Sequence, residues 1–335
     1  MRPSSSRPHL RLVSAVGATV AATALLAGCA SGSTAQVPPS NSADAVTVDN
    51  CGTEVTFESA PERVVTIKST STEMLLALGL ADRIVGSAFS DGPVPEEWAD
   101  AAADVPVLSE QVPSNEAVLE LNPDLVYAGW ESNLSAEGAG DRDELESLGV
   151  HTYVAPAACK EPGYQPERLS FDDVFGEIRE IGSVFRVEDA AEALVAEQQE
   201  LLDAIEPSTA GLTALWYSSG TDAPYVGAGI GAPQLVLDTV GLENVAASVD
   251  DTWTTLGWES VVEADPDVIV LVDADWNTAE SKISNLESNP ATAQLDAVRE
   301  KRYLTIDFAA SEAGVRTVTA AADLADQLAA LDVRG

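Results

Sequence analysis

Apolar positions along the chain fall into short continuous runs separated by helical stripes, the pattern of an α/β protein. Val46-Thr47-Val48 and Val55-Thr56-Phe57 alternate on either side of Asn50-Cys51-Gly52, which predicts a hairpin. Arg63-Val64-Val65-Thr66-Ile67 follows as a buried strand. Thr70 and Glu73 have the spacing of a capping box ahead of Met74, Leu75 and Leu78, and Gly79 closes that helix. Leu145 to Val154 reads as a helix end and a further strand. Two helices are expected over 170–185 and 188–205, the first with Phe171, Val174, Phe175, Ile178, Ile181 and Val184 on one stripe. Leu212 to Tyr217 starts the same plan again. It continues with a Gly-rich turn through Gly231, a helix over 233–240, a strand over 302–307 and a closing helix over 312–331.

One segment occurs twice. Asn115-Glu116-Ala117-Val118-Leu119-Glu120-Leu121-Asn122-Pro123-Asp124-Leu125-Val126-Tyr127 returns as Trp258-Glu259-Ser260-Val261-Val262-Glu263-Ala264-Asp265-Pro266-Asp267-Val268-Ile269-Val270. Each copy reads as a helix that stops before Pro and passes into a β-branched, buried strand, so two similar α/β lobes are expected. Glu116 and Glu259 then stand at matching helix starts. Either they complement the helix N-termini, or they form a two-point docking surface with one acid per lobe.

Other residues carry candidate chemistry. Lys68 follows a strand's carboxyl end, where ligands sit in open α/β sheets; it reads as a ligand contact or as a solvated surface lysine. Trp130, Trp216, Trp253 and Trp276 fall in or beside expected loops, a distribution that suits a flat conjugated or hydrophobic ligand.

The start of the chain changes where this protein is expected to work. Arg2, Arg7 and Arg11 precede an apolar stretch over 12–27 that is short for a membrane span, and Leu26-Ala27-Gly28-Cys29 closes it. That ending resembles a bacterial lipobox, which implies a signal peptide over 1–28 and a lipid-modified Cys29 as the mature N-terminus. Ser- and Pro-rich residues 29–44 read as a flexible tether. Loss of the three arginines takes the formal charge from −38 to −41, which disfavours nucleic acid and anionic membrane surfaces as partners. Outside the cytoplasm the remaining cysteines, Cys51 and Cys159, favour a disulfide over free thiols. With His151 the sole histidine after processing and no Cys-x-x-Cys, neither a His-rich metal site nor a resident cofactor is expected.

Taken together, the lipobox, Pro61-Glu62-Arg63-Val64-Val65, both repeat copies, Gly149-Val150 before a strand and Arg302-Tyr303 resemble the ferric-siderophore and cobalamin class of ABC-importer binding proteins. The resemblance covers nearly all of the mature chain. It implies two Rossmann-like lobes joined by a long interdomain helix, a small-molecule ligand in the cleft between them, and no enzymatic activity. It further implies a monomer, held by its lipid on the outer face of the cell membrane, that docks Glu116 and Glu259 onto a permease dimer. The corresponding divisions are 45–165 for the first lobe, 166–206 for the linking helices and 207–335 for the second lobe. Trp130, Trp216 or Tyr217, Trp253 and Arg316 match regions that line the cleft in such proteins. Lys68-Ser69-Thr70, residues 127–133 and Ala155 to Cys159 are also similar to an actinobacterial subgroup proposed to import a deazaflavin coenzyme precursor, a planar ring with a phosphate-bearing tail. A chelatase-like enzyme would share the bilobal form but usually needs a His or a base–nucleophile pair, and only His151, at an expected strand start, remains after processing. A non-transport surface lipoprotein is a third reading, separable by whether permease and ATPase genes lie alongside.

Overall fold

The computed structural model describes residues 45–331. The signal peptide, the tether and Cys29 lie outside the described residues. β1 (Val46–Asn50) and β2 (Thr53–Phe57) pair antiparallel across a turn in which Cys51 and Gly52 both take positive φ, 51° and 80°. A two-residue turn of this kind matches the twist of the strands it joins. The chain then runs through β3 (Val64–Ile67), α1 (Ser69–Ala77), β4 (Ile84–Ala88), α2 (Ala99–Ala102) and β5 (Val107–Ser109). α3 (Asn115–Glu120), β6 (Leu125–Ala128), α4 (Arg142–Ser147) and β7 (His151–Val154) complete the first lobe, whose sheet is parallel in the order β5-β4-β3-β6-β7.

Two helices make the connection, α5 (Phe171–Phe185) and α6 (Glu188–Asp203). Ser170 caps α5 by accepting from the Asp173 N–H, and Arg186 ends it at φ 60° in the left-handed region. The single long helix implied by the resemblance is therefore broken here into a pair. The expected apolar stripe is realised: Phe175, Ile178, Ile181 and Val184 are buried against the first lobe, and Val174 is buried with Ala232 and Leu235 of the second.

The second lobe comprises β8 (Leu212–Ser219), β9 (Tyr225–Gly227), α7 (Ala232–Val240), β10 (Leu242–Asn244), β11 (Trp253–Thr255), α8 (Trp258–Ala264), β12 (Val268–Asp273), α9 (Ala279–Ser288), α10 (Asp296–Arg299), β13 (Tyr303–Asp307) and α11 (Thr317–Ala330). Its sheet runs β11-β9-β8-β12-β13, with β10 also paired to β8. β9 is antiparallel to β8 and β11, and the other pairings are parallel. α11 starts at Thr317, later than the apolar pattern suggests, because Glu312 is extended and Arg316 becomes the residue before the helix. α11 also ties the lobes together: Val318 packs into the first lobe's core, and Leu324 and Leu328 pack into the second's.

The repeat occupies equivalent places, α3–β6 in one lobe and α8–β12 in the other. In both copies the residue before Pro is left-handed, Asn122 at φ 46° and Asp265 at φ 44°, a region that Asn and Asp enter more readily than other non-glycine residues. The Asp after Pro does the same task twice. Asp124 accepts from the backbone N–H groups of Glu62 and Arg63 at 2.7 and 2.9 Å, and Asp267 accepts from the Thr213 N–H at 2.8 Å. Each carboxylate thus fixes the chain entering the strand that pairs with its own, β3 or β8.

The expected capping box at Thr70 and Glu73 does not form. A partner from farther along the chain takes its place: Asp91, beyond β4, accepts from the Ser69 N–H at 3.2 Å. Glu73 instead turns toward Arg316.

Candidate functional site

Between the lobes lies a cavity of about 400 Å³. The first lobe supplies Thr70 from the start of α1, Gly129 to Ser132 after β6, and Ala155, Ala157, Ala158 and Lys160 after β7. These are carboxyl ends of parallel strands, where helices and strands diverge and leave a crevice. The second lobe supplies Tyr225, Asp251 to Trp253, Phe308, Glu312 and Ala313.

The aromatic walls come from both sides. Tyr225 and Trp253 are neighbours on paired strands and stack at 5.8 Å with an interplanar angle of 16°. Trp130 faces the cavity on the first lobe, and its Nε1 donates to Glu312 Oε2 of the second at 3.4 Å. Behind Trp130 sits Lys68, 1 % exposed, with its Nζ 3.7 Å from the Trp130 ring centroid and 4.4 Å from that of Phe89. Its charge is met by a buried ion pair with Asp91. Burial raises the Asp91 carboxyl, and the Lys68 ammonium opposes that rise. Lys68 also holds a backbone conformation, φ 84° and ψ 154°, that is nearly confined to glycine.

Acids outnumber bases on the walls. Glu131, Asp251 and Glu312 line the cavity, while Lys160 is the base there and already contacts Asp251 at 3.4 Å and Thr252 at 3.1 Å. Burial pushes Glu312 up to about 7, with Lys68 opposing and Asp91 adding to the rise. Burial also tends to raise Asp251, but the Thr252 N–H and the Lys160 ammonium hold it below the usual range. Among the described residues no group of His, Cys, Asp and Glu has the geometry to hold a metal ion.

The sequence-derived candidates separate into distinct places. Trp130 and Trp253 face each other's lobes across the cavity. Lys68 lies beneath the wall instead of on it. Trp216 and Tyr217 do not reach the cavity: β8 is covered on both faces, so its consecutive side chains enter opposite cores. The Trp216 ring is fully buried, and Tyr217 donates its hydroxyl to the Gly220 carbonyl at 2.6 Å. Arg316 bridges the lobes, reaching Glu73 at 3.4 Å and Asp307 at 2.8 Å. Burial lifts Glu73 to about 7 against the pull of that guanidinium. Glu116 and Glu259 are exposed in the first turns of α3 and α8, and neither is in an ion pair among the described residues.

Cys51 and Cys159 are joined as a disulfide, with Cα atoms 5.3 Å apart. Tyr225, Phe308 and Glu312 were not singled out by the sequence. The only available signal was position, since Phe308 directly follows a strand's carboxyl end.

Residues 64–310 match the family described as periplasmic binding protein. The chain is 25% identical over 293 residues to the uncharacterized ABC transporter substrate-binding lipoprotein YvrC of Bacillus subtilis, covering 84% of this chain and 85% of that one. It is 30% identical over 268 residues to a cobalamin-binding protein of Halobacterium salinarum, covering 73% of this chain and 65% of that one. The fold is similar to the crystal structure of an ABC-type Fe3+-hydroxamate transport system from Saccharomonospora viridis. The TM-score is 0.71 at 28% identity, over 84% of this chain and 98% of that chain.

Proposed function

The chain belongs to the periplasmic binding protein family, and from that premise we propose that it captures a large conjugated ligand between its lobes and delivers it to an ABC-importer permease. The observation that carries this reading is the cavity of about 400 Å³ walled by Trp130 on one side and the stacked Tyr225 and Trp253 on the other. Flat aromatic walls bury a ring system's faces, and the sparse polar groups between them orient it. A ferric siderophore or cobalamin suits that chemistry, in keeping with the names of the relatives. The excess of acids over bases on the walls favours a neutral or cationic ligand over the phosphate-bearing deazaflavin precursor.

Delivery rests on Glu116 and Glu259, one exposed acid on each lobe at equivalent helix starts, which would meet basic residues of a permease dimer. Cys29 would carry the lipid that keeps the protein at the membrane. The test is to purify the protein lacking residues 1–29, identify co-purifying small molecules by mass spectrometry, and titrate it with cyanocobalamin, a ferric hydroxamate, hemin and a deazaflavin. Saturable quenching of tryptophan fluorescence by one of them is expected. No quenching by any, with no bound molecule recovered, refutes the cleft reading.

A further inference from the structure

Beside the main cavity is a second one of about 340 Å³, and Ala157 and Ala313 line both. Its walls are the segment from Pro156 to Leu169 and the first turns of α5. Three acids line it, Glu167, Asp173 and Glu177, and no base does. Arg168, in the same segment, is engaged by Asp238.

Glu177 is unlike the other two acids. It is only 6 % exposed, yet it lines this chamber. Its Oε1 accepts from the Tyr127 hydroxyl at 2.7 Å, and its Oε2 has no partner among the described residues. The neighbouring Tyr153 hydroxyl donates to Glu180 instead, at 2.6 Å, so the two tyrosine hydroxyls nearest the helix are both committed. Burial lifts the Glu177 carboxyl to about 7, with the Tyr127 hydrogen bond opposing and Glu180 adding to the rise. Oε2 is not among the buried side-chain atoms left without a partner, so it opens onto the chamber, where a donor can reach it.

The chamber wall is held in place. Cys159 is bonded to Cys51, and the Tyr164 hydroxyl donates to Asp49 Oδ2 at 2.7 Å, which pins this segment to the β1–β2 hairpin.

We infer that this chamber is a subsite of the ligand cleft that receives an alkylammonium arm, its nitrogen donating to Glu177 Oε2. The inference rests on the ligand-cleft reading and narrows it to conjugated ligands that carry a protruding amine. An ammonium is selected because every ionisable side chain lining the chamber that can carry charge at neutral pH is an acid. A charge-assisted hydrogen bond to a largely desolvated carboxylate is also the strongest contact available there.

The test uses n-hexylammonium, n-hexanol and hexanoate as probes on the protein lacking residues 1–29, with ¹³C NMR of the Glu177 carboxyl and calorimetry as readouts. Hexylammonium is expected to shift the Glu177 resonance and to bind at least ten-fold more tightly than the other two. Glu177→Gln should remove that preference, and Glu243→Gln, at an exposed acid on β10 away from both cavities, should keep it. Equal binding of hexanoate, an unmoved Glu177 resonance at saturation, or an unchanged preference in Glu177→Gln overturns the inference. These outcomes do not depend on the main ligand, so absence of tryptophan quenching by the conjugated panel would refute the cleft reading separately.

Discussion

At the scale of single residues, the cleft sets the rings of Trp130, Tyr225 and Trp253 near Glu312, a carboxyl that burial makes hard to ionise. Trp130→Ala and Trp253→Ala should each weaken binding of the conjugated ligand by about 1–3 kcal/mol, the range for bases stacked on aromatic side chains. Titration by tryptophan quenching measures it, and unchanged affinity in both variants would move the ligand elsewhere. Lys68 under Trp130 makes the two losses unequal in kind, because removing the Trp130 ring also uncovers a buried ion pair. The acids set a pH dependence. Glu73, Glu177 and Glu312 are raised to about 7, so between about 4.5 and 7 the folded chain binds more protons than the unfolded one. Stability should therefore be greatest toward the acid end of that window and fall as pH rises through 7. Glu177→Gln should flatten that fall by up to about 3 kcal/mol. Denaturant melts of both proteins at pH 5 and pH 8 check it, and a stability that rises with pH over this window contradicts it.

Among the elements, the repeat was the most legible feature, because its period, its Pro and its β-branched run are local properties of the chain. Asn122 and Asp265 before Pro, and the strands after them, follow from short-range sterics. What the pattern missed depends on contacts distant in sequence. Thr70 and Glu73 have the right spacing for a cap, but Asp91 supplies the acceptor and Arg316 takes the glutamate. Trp216 and Tyr217 end an apolar run beside an expected loop, but α7 and α11 cover one face of β8 and α8 and α9 the other, which buries the two side chains in opposite cores. Short elements such as β4, β5 and β9 offer too few residues for a period to register, and with β9 the sequence also concealed Tyr225. The matched helices α3 and α8 carry the transport prediction. Glu116→Ala and Glu259→Ala should leave ligand affinity unchanged and cost less than about 1 kcal/mol of stability, while the double variant should lose uptake more severely than either single. Normal uptake in the double variant, measured with the lipidated protein in cells, excludes docking by this pair.

Across the whole molecule, two lobes are joined by α5 and α6 and again by α11, which packs into both cores. Removing the disulfide should cost about 2–5 kcal/mol, since it closes a segment of 108 residues in sequence separation. Cys51→Ala with Cys159→Ala should therefore melt well below the parent without reductant and match the reduced parent. A double variant as stable as the oxidised parent would show that the bridge does not restrain the unfolded chain. The bond also divides the molecule in a way that neither sheet order nor burial expresses. Every strand from β2 to β7 lies on the covalent ring closed by Cys51 and Cys159, and no strand of the second lobe does. A protease that cuts one peptide bond between those cysteines opens the ring but still leaves one covalent molecule, whereas one cut between β8 and α11 severs the chain. In an oxidising compartment that holds proteases, the first lobe can survive a nick that would divide the second.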